Sequence, residues 1–165
     1  MTASVRLATP DDLDRLWQLE TTCFSDDDDR FSRRQLRYLL TRAKAITLVC
    51  GDETLWGYAT LLIRRASGFG RIYSLCVAPD ARGQGGGEAL LEALEAQAQS
   101  LGLDQLRLEV RVDNDRALRL YQRRGYDRTA WLDDYYSDGC AGWKMIKWLT
   151  PTAPAPQPET QEPGR

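Results

Sequence analysis

The chain has 165 residues, 42% of them hydrophobic and 28% charged, with a formal net charge of -2; that length and balance suit one globular domain with a sizeable core. This charge gives no general attraction to nucleic acid or to an anionic membrane surface, and no apolar run is long enough to span a bilayer. The sequence contains no histidine, which excludes Ser-His-Asp and Cys-His nucleophile systems and leaves acid–base work to carboxylate, tyrosine, lysine, cysteine, a terminus or water.

Cys23, Cys50, Cys76 and Cys140 are scattered and form no C-x-x-C pair. They read as reduced, partly buried small hydrophobes, and no metal site is expected. The first residues, Met1 to Arg6, lack the basic-then-apolar build of a secretory leader. The expected compartment is cytoplasmic.

In chain order, Val5–Ala8 alternates and reads as a short strand. Thr9 and Pro10 start a helix, Thr9 as N-cap and Pro10 in the first turn. Leu13, Leu16, Trp17 and Leu19 recur at helical spacing up to about Phe24. Ser25 to Arg30 is an acidic loop. Ser32 caps a second helix with Leu36, Leu39 and Leu40 inward. Ile46–Cys50 is a strand, Gly51-Asp52-Glu53 a hairpin turn, Leu55–Arg64 a strand, Ser67–Gly70 a turn and Ile72–Val77 a strand.

A helix from about Gly85 to Leu101 turns Leu90, Leu91 and Leu94 inward, and Gly102 stops it. Leu106–Val112 alternates strictly, with Leu106, Leu108, Val110 and Val112 on one side and Arg107, Glu109 and Arg111 on the other. Asp113-Asn114-Asp115 opens a helix carrying Ala117, Leu118, Leu120 and Tyr121, ended by Gly125. Tyr126–Asp133 and Gly142–Leu149 form a final hairpin. The order β-α-α-β-β-β-α-β-α-β-β predicts an α/β fold with a mixed sheet, in a domain spanning residues 1–149. Residues 150–165 are proline-rich, have no large apolar side chain, and are expected to be a disordered tail.

The densest chemical signal is Val77-Ala-Pro-Asp-Ala-Arg-Gly-Gln-Gly-Gly-Gly-Glu-Ala-Leu-Leu91. A strand runs through a glycine loop straight into a helix, which exposes backbone N–H groups at a positive helix end and suits a phosphate or diphosphate. A P-loop is excluded, because Gly87 is followed by Glu88 and Ala89 rather than by Lys and Ser/Thr. A dinucleotide fingerprint fits Gly83 and Gly85 but meets Glu88 at its third glycine. The remaining pattern is [Q/R]-x-x-G-x-[G/A], met by Arg82-Gly-Gln-Gly-Gly-Gly87.

That pattern, in this position, resembles the acyl-CoA signature of the GNAT N-acetyltransferases. The resemblance covers roughly Val5 to Leu149 and implies the GNAT fold. Leu108-Glu-Val-Arg111, the Asn114-to-Ala117 helix start and the Leu120-Tyr121 to Gly125-Tyr126 helix end are similar to ribosomal-protein-alanine N-acetyltransferases of the RimI type. Asp134-Tyr-Tyr-Ser-Asp-Gly139 resembles their last hairpin. The chain also looks similar to acetyltransferase domains joined to C39-like peptidase domains.

The resemblance implies acetyl-CoA as cosubstrate and a primary amine as acceptor, first a protein N-terminal α-amine. A small-molecule amine acceptor and a non-catalytic acyl-CoA sensor are the alternatives. It implies that Arg82, Gly83, Gln84, Gly85, Gly86, Gly87 and Glu88 hold the diphosphate. It also implies that the backbone of Leu75, Cys76 and Val77 pairs with the pantetheine arm and that Asn114 touches it, while Asn114 also reads as a plain helix cap. Glu109 is the implied general base and Tyr121 the implied general acid; a cross-strand ion pair with an arginine is the other reading of Glu109, and a core aromatic the other reading of Tyr121. Asp26, Asp27, Tyr135 and Tyr136 are candidates for binding the acceptor. Two departures bear on the cofactor: Gly86 removes a side chain and predicts a looser loop, and Glu88 sets a negative charge beside the diphosphate. No nucleic-acid or membrane partner is expected, and the chain is expected to be a monomer or homodimer.

Overall fold

A computed structural model describes residues 4–24, 30–41 and 44–149, with Arg65 described by its backbone alone. Among these residues, seven strands form one sheet: β1 (Val5–Leu7), β2 (Ala45–Gly51), β3 (Leu55–Arg64), β4 (Phe69–Val77), β5 (Gln105–Arg111), β6 (Asp127–Leu132) and β7 (Gly142–Trp148). Among the described residues, four α-helices lie between them: α1 (Leu13–Cys23), α2 (Arg33–Thr41), α3 (Gly86–Ser100) and α4 (Asp115–Arg123). The expected element order is the observed one. The expected tail lies outside the described residues.

The strand order is β1-β2-β3-β4-β5-β7-β6. β1 to β4 form an antiparallel meander, β4 pairs with β5 in parallel, and the last strand inserts between β5 and β6. No described helix is long and apolar enough to cross a membrane.

Two apolar clusters fix the helices to opposite faces. Leu90, Leu91 and Leu94 of α3 are fully buried against Leu48, Leu61, Ile72, Leu106, Leu108 and Met145, and Tyr121 and Tyr126 join the same cluster. Each of those leucines contributes roughly 1.5–3 kcal/mol by leaving water. Leu16, Leu19 and Leu36 from α1 and α2 pack on the other face against Val49, Tyr58 and Cys76.

Helix starts follow local chemistry. The chain enters α1 through a short 3-10 turn at Pro10–Asp12, where the Thr9 N–H donates to Asp12 Oδ2 at 2.8 Å. Ser32 and Gln35 cap α2 reciprocally: the Ser32 N–H donates to Gln35 Oε1 at 2.7 Å, and the Gln35 N–H donates to Ser32 Oγ at 3.1 Å.

The segment before Ile72 differs from expectation. Phe69 and Gly70 belong to β4 rather than to a turn. Glycine sits in the strand because a Cβ at residue 70 would come within 2.9 Å of Leu61 Cδ1 and 3.0 Å of Leu106 Cδ2.

β4 also carries a bulge. Thr60 faces Ser74 but Leu61 faces Ile72, so Tyr73 is the extra residue. The bulge switches the faces of the strand. Ile72 packs with the α3 side, and beyond the bulge so do Leu75 and Val77, while Cys76 turns to the α1 side.

Candidate active site

β4 and β5 pair over only three residues, Phe69–Arg71 against Gln105–Arg107. β4 then runs on to Val77 and β5 to Arg111 without pairing each other. Leu75, Cys76 and Val77 stay paired to β3 on their other side. Their edge facing β5 is therefore left with open backbone donors and acceptors.

The glycine loop lies at the end of that edge. After a 3-10 turn at Pro79–Ala81, the Nε of Arg82 donates to the Val77 carbonyl at 3.2 Å. Gly83 and Gly85 adopt φ of 83° and 85°, a left-handed conformation that glycine takes without penalty. The Ala89 N–H donates to the Gly85 carbonyl at 2.9 Å. The N–H groups of Gly86, Gly87 and Glu88 thus stand at the helix mouth with no intrahelical acceptor.

Gly86 has a packing reason to be glycine. A Cβ there would lie 2.2 Å from Trp56 Cζ3, so the indole of β3 fills the space a side chain would take.

A cleft of about 540 Å³ runs along this surface. Of the residues expected to hold the cofactor, Leu75, Cys76, Val77, Arg82, Gly83, Gly85, Gly86, Gly87, Glu88 and Asn114 line it; Gln84 does not. Asn114 also caps α4, its Oδ1 accepting from the Ala117 N–H at 3.2 Å. The opposite wall belongs to α4, with Arg116, Arg119, Leu120 and Arg123. Glu88 reaches Arg123 at 3.6 Å, so its charge faces a cation. Cys23, at the end of α1, also lines the cleft, its thiol beside that of Cys76. That contact and burial push the Cys76 thiol up, so it keeps its proton.

Glu109 stands where the strands part and does not border the cleft. Arg71 holds it: Nε donates to Glu109 Oε1 at 2.8 Å, and Nη2 approaches the same oxygen at 2.7 Å. The Arg71 guanidinium also lies 5.3 Å from the Tyr73 ring centre, and Tyr73 stacks on Phe31 at 5.3 Å. Tyr135 and Tyr136 pack edge to face at 5.0 Å. Arg111 lies 5.1 Å from the Tyr136 ring centre and ties the β6–β7 connection down through Asp138 at 2.7 Å. Burial, with Tyr135 and Glu109 nearby, pushes the Tyr136 phenol up to about 12.

Tyr121 is buried on α4, edge to face with Tyr126 at 5.6 Å. Burial pushes its phenol well above the ordinary tyrosine range. It follows Leu120, which lines the cleft, but does not line the cleft itself. Asp26 and Asp27 lie outside the described residues.

The sequence reading missed Arg71, Trp56 and the α4 arginines. The arginines left a signal: residues 116, 119 and 123 stand at i, i+3 and i+7, one helix face. Arg71 and Trp56 left none, because their partners lie 38 and 30 positions further along.

The acetyltransferase (GNAT) family model matches residues 13–126. An N-alpha-acetyltransferase of Sulfurisphaera tokodaii is 33% identical over 90 residues, 51% of this chain and 52% of that protein. Among solved structures, the ribosomal-protein-S18-alanine N-acetyltransferase of Escherichia coli superposes with a TM-score of 0.80 at 20% identity, over 92% of this chain and 97% of that one. Arabidopsis thaliana NAA60 in complex with acetyl-CoA gives 0.78 at 19% identity, over 90% and 99%. The chain spans between 20% and 52% of the length of the first curated relatives it matches. The matched family model, which takes in α1 to α4, β2 to β5 and the whole glycine loop, places the chain in the GNAT acetyltransferase family.

Proposed function

We propose that the chain is an acetyl-CoA-dependent N-acetyltransferase acting first on a protein N-terminal α-amine. The observation that carries this reading is the parting of β4 from β5 beside a helix mouth rich in free amides. The residues present fit such a cosubstrate, which supplies an activated acetyl thioester. The N–H groups of Gly83 to Glu88, with Arg82, bind its diphosphate. The open edge of Leu75, Cys76 and Val77 takes the pantetheine arm as an added strand, and an N–H of that edge stabilises charge on the thioester oxygen.

Glu109 then acts as base. An α-amine with an ordinary pKa near 8 is mostly protonated at neutral pH. Arg71 occupies Oε1, so Oε2 collects the amine proton, directly or through one water. Tyr121, whose burial keeps the phenol protonated, returns a proton to the departing thiolate. The aromatic pairs Phe31–Tyr73 and Tyr135–Tyr136 flank the acceptor approach. The N-alpha-acetyltransferase and S18-alanine acetyltransferase relatives support a peptide N-terminus over other amines.

Thiol release from acetyl-CoA with a peptide panel, set against polyamines and free amino acids, tests the reading. Turnover is expected with peptides bearing a free N-terminus and not with the same peptides blocked there. Turnover confined to polyamines or amino acids overturns the acceptor. Binding of acetyl-CoA with no turnover in either panel leaves a sensor in place of an enzyme.

A further inference from the structure

We infer that Cys23 and Cys76 are a redox-modification site: hydrogen peroxide joins them in a disulfide that draws the end of α1 onto β4 and narrows the cleft between them. Formation of the bond needs no activity of the protein; its effect on acetyl-CoA rests on the proposed function.

Three observations carry it. The two cysteines meet from distant parts of the chain. Cys23 is the last residue of α1, and Cys76 is the last but one of β4. Cys23 packs on the apolar cluster that holds Cys76, and both line the same cleft. All four cysteines are free, so the pair is a dithiol.

Next, the two thiols are unlike. Cys23 is half-buried, while Cys76 is 7% exposed. The neighbouring Cys76 thiol, and then the Arg82 charge, lower the Cys23 thiol against burial and Glu20. Cys76 is pushed the other way and keeps its proton. A reachable thiol of lowered pKa beside a second thiol is the arrangement in which peroxide attack ends in a disulfide.

Finally, the other two cysteines lack this setting. Cys50 is fully buried in the opposite cluster, and burial pushes its thiol up to about 11. Cys140, in the β6–β7 connection, belongs to neither apolar cluster and does not line the cleft.

The chemistry balances with one peroxide. The Cys23 thiolate attacks a peroxide oxygen, an S–O bond forms, and the O–O bond breaks. The departing hydroxide takes up a proton and leaves as water. The Cys76 sulfur then attacks the Cys23 sulfur: the S–S bond forms, the S–O bond breaks, and hydroxide leaves with the Cys76 proton as a second water. Two thiols are oxidised and one peroxide is reduced. The new bond is about 2.05 Å long, well inside any non-bonded approach of two sulfurs. It pulls the last turn of α1 and Phe24, another residue of the cleft wall, toward the open edge of Leu75, Cys76 and Val77.

Peptide mapping of the full chain under non-reducing conditions tests the site. Trypsin sets each cysteine in its own peptide: 16–30 holds Cys23, 45–64 holds Cys50, 72–82 holds Cys76 and 129–144 holds Cys140. After peroxide, 16–30 is expected to be linked to 72–82, two hydrogens lighter than the sum, and dithiothreitol is expected to separate them. Cys140→Ser is expected to form the same link, and Cys23→Ser to form none. Titration calorimetry then reads the closure: acetyl-CoA affinity is expected to fall by about 10-fold or more on oxidation and to return on reduction, with no such change in Cys23→Ser measured against its own untreated form. Peroxide-treated wild type in which 16–30 and 72–82 stay separate, or in which Cys23 pairs with Cys140, overturns the site, and this map needs no variant to fold. A linked protein that binds acetyl-CoA as well as the reduced one overturns the closure. Reduced wild type that binds no acetyl-CoA overturns the proposed function instead, while a linked 16–30/72–82 pair still supports the site.

Discussion

Arg71 and Glu109 meet at the point where β4 and β5 separate, and both guanidinium contacts fall on one carboxylate oxygen, Oε1. Arg71 belongs to the last residue pair the two strands share, opposite Arg107, and Glu109 lies two residues past it on the same face of β5. The ion pair that the sequence offered as a competitor to catalysis is thus compatible with it. One oxygen is anchored, and the other keeps a fixed direction.

Substitution separates the two roles. Glu109→Gln is expected to lower kcat by about 100- to 1,000-fold, the range for a positioned general base, with little change in acetyl-CoA affinity. Arg71→Gln leaves the base in place but unanchored. Its kcat is expected to fall by about 10- to 100-fold, as misplacement of a reacting group does, and Arg71→Lys is expected to recover part of the loss. Steady-state kinetics check both. Unchanged kcat in Glu109→Gln removes Glu109 as base; an Arg71→Gln effect confined to KM removes Arg71 as its positioning residue.

Tyr121 predicts both a rate effect and a pH profile. Tyr121→Phe keeps the ring that packs on Tyr126 and removes only the hydroxyl. Stability is expected to stay within about 1 kcal/mol while kcat drops roughly 100-fold. Burial raises this phenol above its ordinary 10, so in wild type it remains a proton donor as pH rises to 10. The kcat profile is expected to show no alkaline decline from Tyr121 below that pH. A decline near 9 that vanishes in Tyr121→Phe would overturn the upward shift of the phenol, and an unchanged kcat in Tyr121→Phe would remove Tyr121 as the acid.

Asp12 sets the acid limit of the fold. Its side chain is 1% exposed and lies between Arg6, at 2.9 Å, and Arg15. The hydrogen bond from Arg6, then that from the Thr9 N–H, hold its carboxyl at about 2, below the ordinary 3.8, against the opposing cost of burial. A carboxylate depressed on folding adds stability that is present above the unfolded value and lost as pH falls through the folded one. The contribution is about 2 kcal/mol at neutral pH. Urea denaturation is expected to show Asp12→Asn less stable by about that much at pH 6, with the gap narrowing between pH 4 and pH 2. A gap independent of pH would place the effect in packing instead of charge.

What the sequence made legible was whatever a short window encodes. The strict alternation of Leu106 to Val110 becomes β5 with those side chains in the core, Gly102 turns the chain at φ 75° just past α3, and the glycine loop opens α3 at Gly86. The features that shape the site depend on partners far along the chain. The bulge at Tyr73 arises from the register of β4 against β3, and nothing in Ile72-Tyr-Ser-Leu75 announces a change of face. Gly70 looked like a turn residue because its reason for being small is Leu106, 36 positions away. The same limit made Gly86 look like a weakness, when Trp56 explains it.

The Gly86–Trp56 contact can be isolated from the backbone demands of its neighbours. A Cβ at residue 86 meets Trp56 Cζ3 at 2.2 Å, whereas none of the non-neighbouring atoms comes within 4 Å of a Cβ at Gly85, whose φ is 85°. Gly86→Ala therefore costs by crowding, about 1–3 kcal/mol. Gly85→Ala costs by its left-handed backbone, about 1–2 kcal/mol. In a Trp56→Leu background the first cost is expected to shrink by at least half, because the smaller side chain gives room, and the second to stay as it was. Thermal unfolding of the six proteins supplies both double-mutant cycles. Because Gly86 also stands at the amide-rich helix mouth, Gly86→Ala is expected to weaken acetyl-CoA binding, and Trp56→Leu is expected to restore part of it. An undiminished Gly86→Ala cost in the Trp56→Leu background would show that the indole is not what excludes a side chain there.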